Sequence, residues 1–196
     1  MPQANSIADL LQSDFQINGT WNLNAQGLVD VTGDVRTSWM HQGRLTVKFG
    51  HVSGTFQCMD SNLYSLAGAP QKVTGSFSCK KNNLTSLQGG PVEVGGRYYV
   101  SRNQLTSLAG APHTVGQFIE ITYYPDTPLL KLFNYHKVVF DNDSRPPVPP
   151  VPRIWRELFD PAIHPELQGG GRAAMMKAVA MLSKAGLYKN NPNAQQ

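Results

Sequence analysis

The chain has 196 residues, 40% of them hydrophobic and only 15% charged, with a net charge of +4. Its charged fraction lies below the roughly 25% of an ordinary globular chain, and 18 glycines with 14 prolines point to many turns and little long helix. No apolar run approaches the roughly 18 residues that a membrane-spanning helix needs, the start at Met1–Ser6 has no basic stretch leading into an apolar one, and two cysteines make no disulfide framework. A cytoplasmic protein without membrane association is expected.

In chain order, residues 1–18 form an N-terminal cap. Ser6 suits a helix N-cap, Asp9 stands at the third helical position, and Ile7, Leu10 and Leu11 share one face. Residues 19–126 carry an internal repeat. Three blocks align on a glycine: GTFQCMDSNLYSLAGAPQKVT (54–74), GSFSCKKNNLTSLQGGPVEVG (75–95) and GRYYVSRNQLTSLAGAPHTV (96–115). The anchors Gly54, Gly75 and Gly96 share one interval, and Gly116 follows a single position early. Gly33 extends the series backward at the full interval, and Gly19 precedes it at a shorter one. An apolar residue follows each anchor by two: Trp21, Val35, Phe56, Phe77, Tyr98 and Phe118.

The chemistry of one block predicts its shape. Alternation in G-x-F-x-C is that of a short strand with Phe and Cys on one face. Asn and Ser follow (Ser61, Asn62, Asn82, Asn83, Asn103), whose side chains satisfy backbone groups at a tight bend. Two leucines then turn inward, Gly-Ala-Pro or Gly-Gly-Pro makes the opposite corner, and a valine leads to the next strand. One coil cannot bury its own apolar row, so coils must stack with parallel strands. Six rungs would span about 25–30 Å. Cys58 and Cys79 hold equivalent positions on neighbouring coils and read as stacked buried thiols. The expected fold is therefore an α+β repeat solenoid, a parallel β-sheet with capping helices and a C-terminal helical appendage.

After the repeats, residues 127–145 read as a C-terminal cap: Leu129, Leu130, Leu132 and Phe133 in a helix, then a strand over 137–140. A polyproline linker follows at 146–152. Residues 153–196 form a helical tail, with a short helix over 153–160 carrying Trp155 and Phe159. A longer helix spans 172–185, its face lined by Met175, Val179 and Leu182, with Gly186 as its stop.

The block pattern N-x-L-T-S-L-x-G-x-P-x-x-V-x-G-x-F/Y resembles the leucine-rich-repeat-like proteins of tailed bacteriophages and some bacteria. It is also similar to the short-repeat leucine-rich effectors of bacterial pathogens, which place proline directly after the second leucine. The resemblance covers about residues 33–141, with Pro128-Leu129-Leu130-Lys131-Leu132-Phe133 matching the segment that follows the family's repeats, and extends to the C-terminus through a helix finishing in Ala185-Gly186-Leu187. The first two coils depart from it, lacking the Leu–Leu–Gly–Pro segment. The resemblance implies a leucine-rich-repeat-like fold, expression in the cytoplasm of an infected bacterium, and a host bacterial protein as partner, through inhibition of host defence or takeover of a host enzyme. A structural component of a virion or assembly is the alternative.

The residues themselves carry no catalytic constellation: no paired carboxylates, no Ser/His/Asp set and no cofactor fingerprint. Five histidines share neither a repeat position nor a His-x-x-x-His spacing, so no metal and no cofactor are expected. Basic residues are scattered, with Lys80-Lys81 the one adjacent pair, which argues against nucleic acid despite an isoelectric point near 9.1. A non-enzymatic protein-binding module is the expectation that remains. Its surface is the outer face of the strands, at odd offsets from the anchors: Asp34, Arg36 and Ser38; Thr55, Gln57 and Met59; Ser76, Ser78 and Lys80; Arg97, Tyr99 and Ser101; Gln117, Ile119 and Ile121. Arg97 and Tyr99 are the expected centre of partner contact, with Lys80, Gln57 and Met59 beside them, because Tyr and Arg dominate binding hot spots. The tail, with Trp155, Phe159, Met175 and Met176, is the competing surface.

Overall fold

Each repeat block folds as one coil that contributes two very short strands to one sheet. The computed structural model describes residues 6–37, 39–122, 132, 135, 137–141, 167 and 171–184. Helix α1 (Ile7–Asp14) opens the chain, and β1 (Phe15–Leu23) and β2 (Val29–Thr37) form a hairpin. The coils then supply β3 (Phe49–Val52), β4 (Phe56–Gln57), β5 (Lys72–Val73), β6 (Phe77–Ser78), β7 (Glu93–Val94), β8 (Tyr98–Tyr99), β9 (Thr114–Val115) and β10 (Ile119–Ile121). Strand β11 (Val138–Phe140) and helix α2 (Gly171–Lys184) complete the described elements.

The result is a parallel β-solenoid of about five turns. Among the described residues the sheet runs β11-β10-β8-β6-β4-β2-β3-β5-β7-β9, with β1 paired to β2. Strand β2 is the branch point. Its first half, at Val29 and Val31, pairs with β3 and begins the column of valine strands; its second half, at Val35 and Arg36, pairs with β4 and begins the column of aromatic strands. The two columns meet at a corner where the anchor glycines stack. Gly54 N donates to Gly33 O (3.0 Å), Gly75 N to Gly54 O (3.0 Å), Gly96 N to Gly75 O (2.8 Å) and Gln117 N to Gly96 O (3.0 Å). A Cβ on Gly75 would stand 2.6 Å from Gly54 O, so at this rung the corner closes only without a side chain.

Inside, the alternation behaves as expected. Phe49, Phe56, Phe77 and Tyr98 are buried in a continuous stack, with ring centroids 5.2, 5.5 and 5.5 Å apart. Cys58, Cys79 and Val100 line the next inward row, and the paired leucines 63/66, 84/87 and 105/108 fill the opposite wall. The bend after each aromatic strand takes a left-handed residue, Asp60, Lys81 or Arg102 (φ 55°, 55° and 58°). Asn82 and Asn103, which follow Lys81 and Arg102, hold the bends. Asn82 Oδ1 accepts from Ser61 N (3.1 Å) and Leu63 N (2.9 Å), while its Nδ2 donates to Cys58 O (2.7 Å) and Cys79 O (3.1 Å). Asn103 repeats the arrangement one coil on, accepting from Leu84 N and donating to Cys79 O and Val100 O. Among the described residues no helix lies between β2 and β10, as coils of this length with a Gly-x-Pro corner require.

The two ends of the repeat differ from the sequence expectation. Gly19 does not begin a parallel coil: β1 runs antiparallel to β2 with Gly19 facing Gly33. The stretch between these two glycines is too short to complete a coil, and the Asn24–Gly27 turn closes a hairpin instead, with Gly27 N donating to Asn24 O (2.9 Å). Gly19 and Gly33 both adopt positive φ (144° and 134°), and a Cβ on either would collide with the opposite backbone. At the far end the fourth anchor is Gln117, not Gly116, because β10 pairs Ile119 with Tyr98 and Glu120 with Tyr99.

Helix α1 has the expected start. Ser6 Oγ accepts from Asp9 N, and the Asp9 carboxylate accepts from Ser6 N, closing a capping box that holds Asp9 below the usual carboxylate range. Leu11 is its buried residue. The strand expected over 137–140 is β11, parallel to β10. Among the described side chains of α2, Ala174 and Ala178 are buried and Val179 is half-buried. The helix expected over 129–133, the linker at 146–152, the helix at 153–160 and the stop at Gly186 lie outside the described residues, apart from Leu132, which is buried.

Candidate functional site

The aromatic column presents three outward rows, because alternate residues of each strand point away from the core. Register fixes the central row as Arg36, Gln57, Ser78, Tyr99 and Glu120 on β2, β4, β6, β8 and β10. Thr55, Ser76, Arg97 and Phe118 precede that row, and Met59 and Lys80 follow it, whereas Ser101, expected in the same row, is buried beneath Glu120. All five residues expected from the sequence, Arg97, Tyr99, Lys80, Gln57 and Met59, line one shallow concavity of about 530 Å³, together with Arg36, Thr55, Ser76, Ser78 and Gln117. A second hollow of about 400 Å³ adjoins it through the shared Arg36, Thr55 and Gln57 and continues to Gln16 and Asn18 on β1.

The last coil differs from the sequence reading. Spacing from Gly116 puts Ile119 and Ile121 outside, yet both are buried in the core; Phe118 and Glu120 take the outer positions. The one-residue shift of the fourth anchor moves every side chain of β10 to the opposite face. These two residues then organise the site. Glu120 Oε1 accepts from Lys80 Nζ (2.5 Å) and from Ser101 Oγ (2.7 Å), tying β10 to the coil ends that follow β6 and β8. Tyr99 meets Phe118 edge to face, with ring centroids 5.6 Å apart. Lys80 Nζ lies 5.7 Å from the Tyr99 ring centre, and the Arg97 guanidinium lies 5.4 Å from that of Phe118. Arg97 also donates to Gln117 Oε1 (2.9 Å) and Tyr99 Oη (3.3 Å).

The cluster is therefore held before any partner arrives, which lowers the ordering cost of binding. Its charge is uneven. Glu120 neutralises Lys80 and Asp34 accepts from Thr55 N, whereas Arg36 and Arg97 have no carboxylate partner among the described residues. Gln57 and Met59 sit between them, Met59 exposed and Gln57 half-buried.

Cys58 and Cys79, the two thiols of the chain, are buried without a disulfide, and burial pushes both up in pKa, Cys79 further by its neighbour Cys58. Among the described residues no group of three or more His, Cys, Asp or Glu side chains could hold a metal ion, and no helix is long and apolar enough to cross a membrane. No protein-family model, no curated protein and no solved structure matches the chain.

Proposed function

We propose that the protein is a non-enzymatic, leucine-rich-repeat-like binding module that holds a host bacterial protein against the outer face of its aromatic column. In this reading it is phage-encoded and works in the cytoplasm of the infected cell, inhibiting host defence or diverting a host enzyme. The observation that carries the binding role is the convergence of Arg97, Tyr99, Lys80, Gln57 and Met59 on one concavity, with the first three pre-ordered by Glu120 and Phe118. The leucine-rich-repeat-like assignment draws support from the coil itself, in which a strand, a buried asparagine and two inward leucines recur. The phage origin rests on the repeat pattern.

Affinity capture from host lysate tests the reading. Wild-type protein retains a specific partner, and the pair Arg97→Ala, Tyr99→Ala loses it with the fold intact, since truncating a hot-spot residue costs about 2 kcal/mol or more, roughly thirtyfold in affinity. Normal binding by that variant, with loss in a chain ending before Arg145, would move the function to the tail. Abundant copies in purified phage particles would replace the module by a virion component.

A further inference from the structure

Strand β1 is the terminal rung of the solenoid, and its outer edge is open. The hydrogen bonds of β2 show which of its groups point where. Val29 N donates to Lys48 O, Val35 N to Thr55 O and Gly33 N to Ser53 Oγ, while Val31 O accepts from Ser53 N. These residues spend their backbone groups on the side away from β1. Their antiparallel partners Leu23, Ile17, Gly19 and Trp21 therefore direct their own N–H and C=O groups away from β2. Among the described residues no hydrogen bond reaches them.

Natural sheets protect such an edge with charge, proline, a bulge or a cover. The segment Phe15–Leu23 holds no charged residue and no proline. Helix α1 buries Leu11 beside Phe15 at one end, but Asn18–Leu23 is exposed throughout, with Trp21 40% and Leu23 49% accessible. Trp21 and Leu23 face the same side as Val31 and Val29, which are buried, so the core's apolar face continues uncovered onto β1.

We propose that this edge pairs with the β1 edge of a second copy of the chain, antiparallel about a two-fold axis at Thr20. Self-pairing about a two-fold sets a strand against its own composition, so any charge near the axis meets its like; an uncharged strand is the one that tolerates it. The open groups belong to odd-numbered residues, so odd must face odd. Centring on Thr20 achieves this, placing Ile17 opposite the second copy's Leu23, and Trp21 opposite its Gly19. The bulky indole then covers the residue that has no side chain. The second copy's core face continues the first, and the two solenoids join end to end. A strand from an unrelated protein lacks this internal match.

Sedimentation equilibrium of the full chain tests the pairing. Wild-type protein forms a closed dimer, and Thr20→Lys, which sets two ammonium groups together on the axis, weakens it by about tenfold or more with an unchanged circular dichroism spectrum. Under mild oxidation Thr20→Cys gives a covalent dimer, while Asn18→Cys, whose opposite residue in this register is Asn22, does not. Cys58 and Cys79 are buried and leave the crosslink readout clean. A monomeric wild type, assembly beyond two copies, undiminished association of Thr20→Lys, or equal crosslinking at positions 18 and 20 overturns the proposal.

Discussion

Asn82→Ala removes one carboxamide and leaves three buried backbone groups without a partner. Ser61 N and Leu63 N lose the Oδ1 acceptor at 3.1 and 2.9 Å, and Cys58 O loses the Nδ2 donor at 2.7 Å, while Cys79 O keeps the donor from Asn103 (2.9 Å). Ser61, Leu63 and Cys58 are at most 1% exposed, so water does not replace what is lost. An unsatisfied buried group costs about 1–3 kcal/mol, and even the lower bound at all three sites gives about 3 kcal/mol. That is a sizeable share of the roughly 5–15 kcal/mol that holds a whole domain together. The neighbour Asn83 is the control: its Nδ2 donates only to the Asn62 side chain (3.2 Å) at a half-buried position, so Asn83→Ala costs under about 1 kcal/mol. Urea unfolding followed by circular dichroism measures both. A loss for Asn82→Ala no larger than for Asn83→Ala would refute the role given to the asparagine.

Tyr98 replaces the phenylalanine of its column and buries a hydroxyl that has no hydrogen-bond partner among the described residues, so Tyr98→Phe raises the urea midpoint, by about 1 kcal/mol in stability. Gly75→Ala forces a Cβ to 2.6 Å from Gly54 O and opens the corner, lowering the thermal midpoint by several degrees. Both buried thiols have raised pKa values, Cys58 and Cys79 alike, chiefly through desolvation. The folded state therefore keeps protons that the unfolded state releases above about pH 8.5, and stability is full below that pH and falls as pH rises, by about 1.4 kcal/mol per pH unit for each thiol. Denaturation at pH 8, 9 and 10 reads this slope, and Cys58→Ala, Cys79→Ala reduces it between pH 9 and 10.

The repeat interval, the inward Phe and Cys and the bend-holding asparagines were legible because each follows from local alternation and repetition. The departures arise where two local patterns look alike. Gly19-Thr20-Trp21 has the same glycine–x–apolar form as a true corner, yet only the shortened gap to Gly33 and the Asn24–Gly27 turn separate a hairpin from a coil. At Gly116 two glycine columns coincide: Val94 is followed by Gly95 and Gly96, but Val115 by Gly116 and Gln117. Val73, Val94 and Val115 keep the strict spacing of the repeat and mark Gln117 as the anchor, a signal that outranks the glycine. The convergence of the candidate residues was legible as matching positions in and beside β4, β6 and β8. Its organising ion pair was not, since Lys80 and Glu120 are far apart in sequence and skip a strand, so only the three-dimensional stack brings them together.

Because both columns start from β2, the hairpin of β1 and β2 is the template on which every later coil is laid. It closes within its own short span, from Phe15 to Thr37, whereas each subsequent strand of the stack finds its partner a single coil back along the chain. Contacts of that kind stay short-ranged however many coils are added, so loop-closure entropy does not grow with the length of the array. Synthesis supplies the chain in the same direction, amino end first. The molecule is thus arranged to be assembled vectorially, one coil docking on the last as it leaves the ribosome, and the number of coils is free to change in evolution without redesign of the end that starts it.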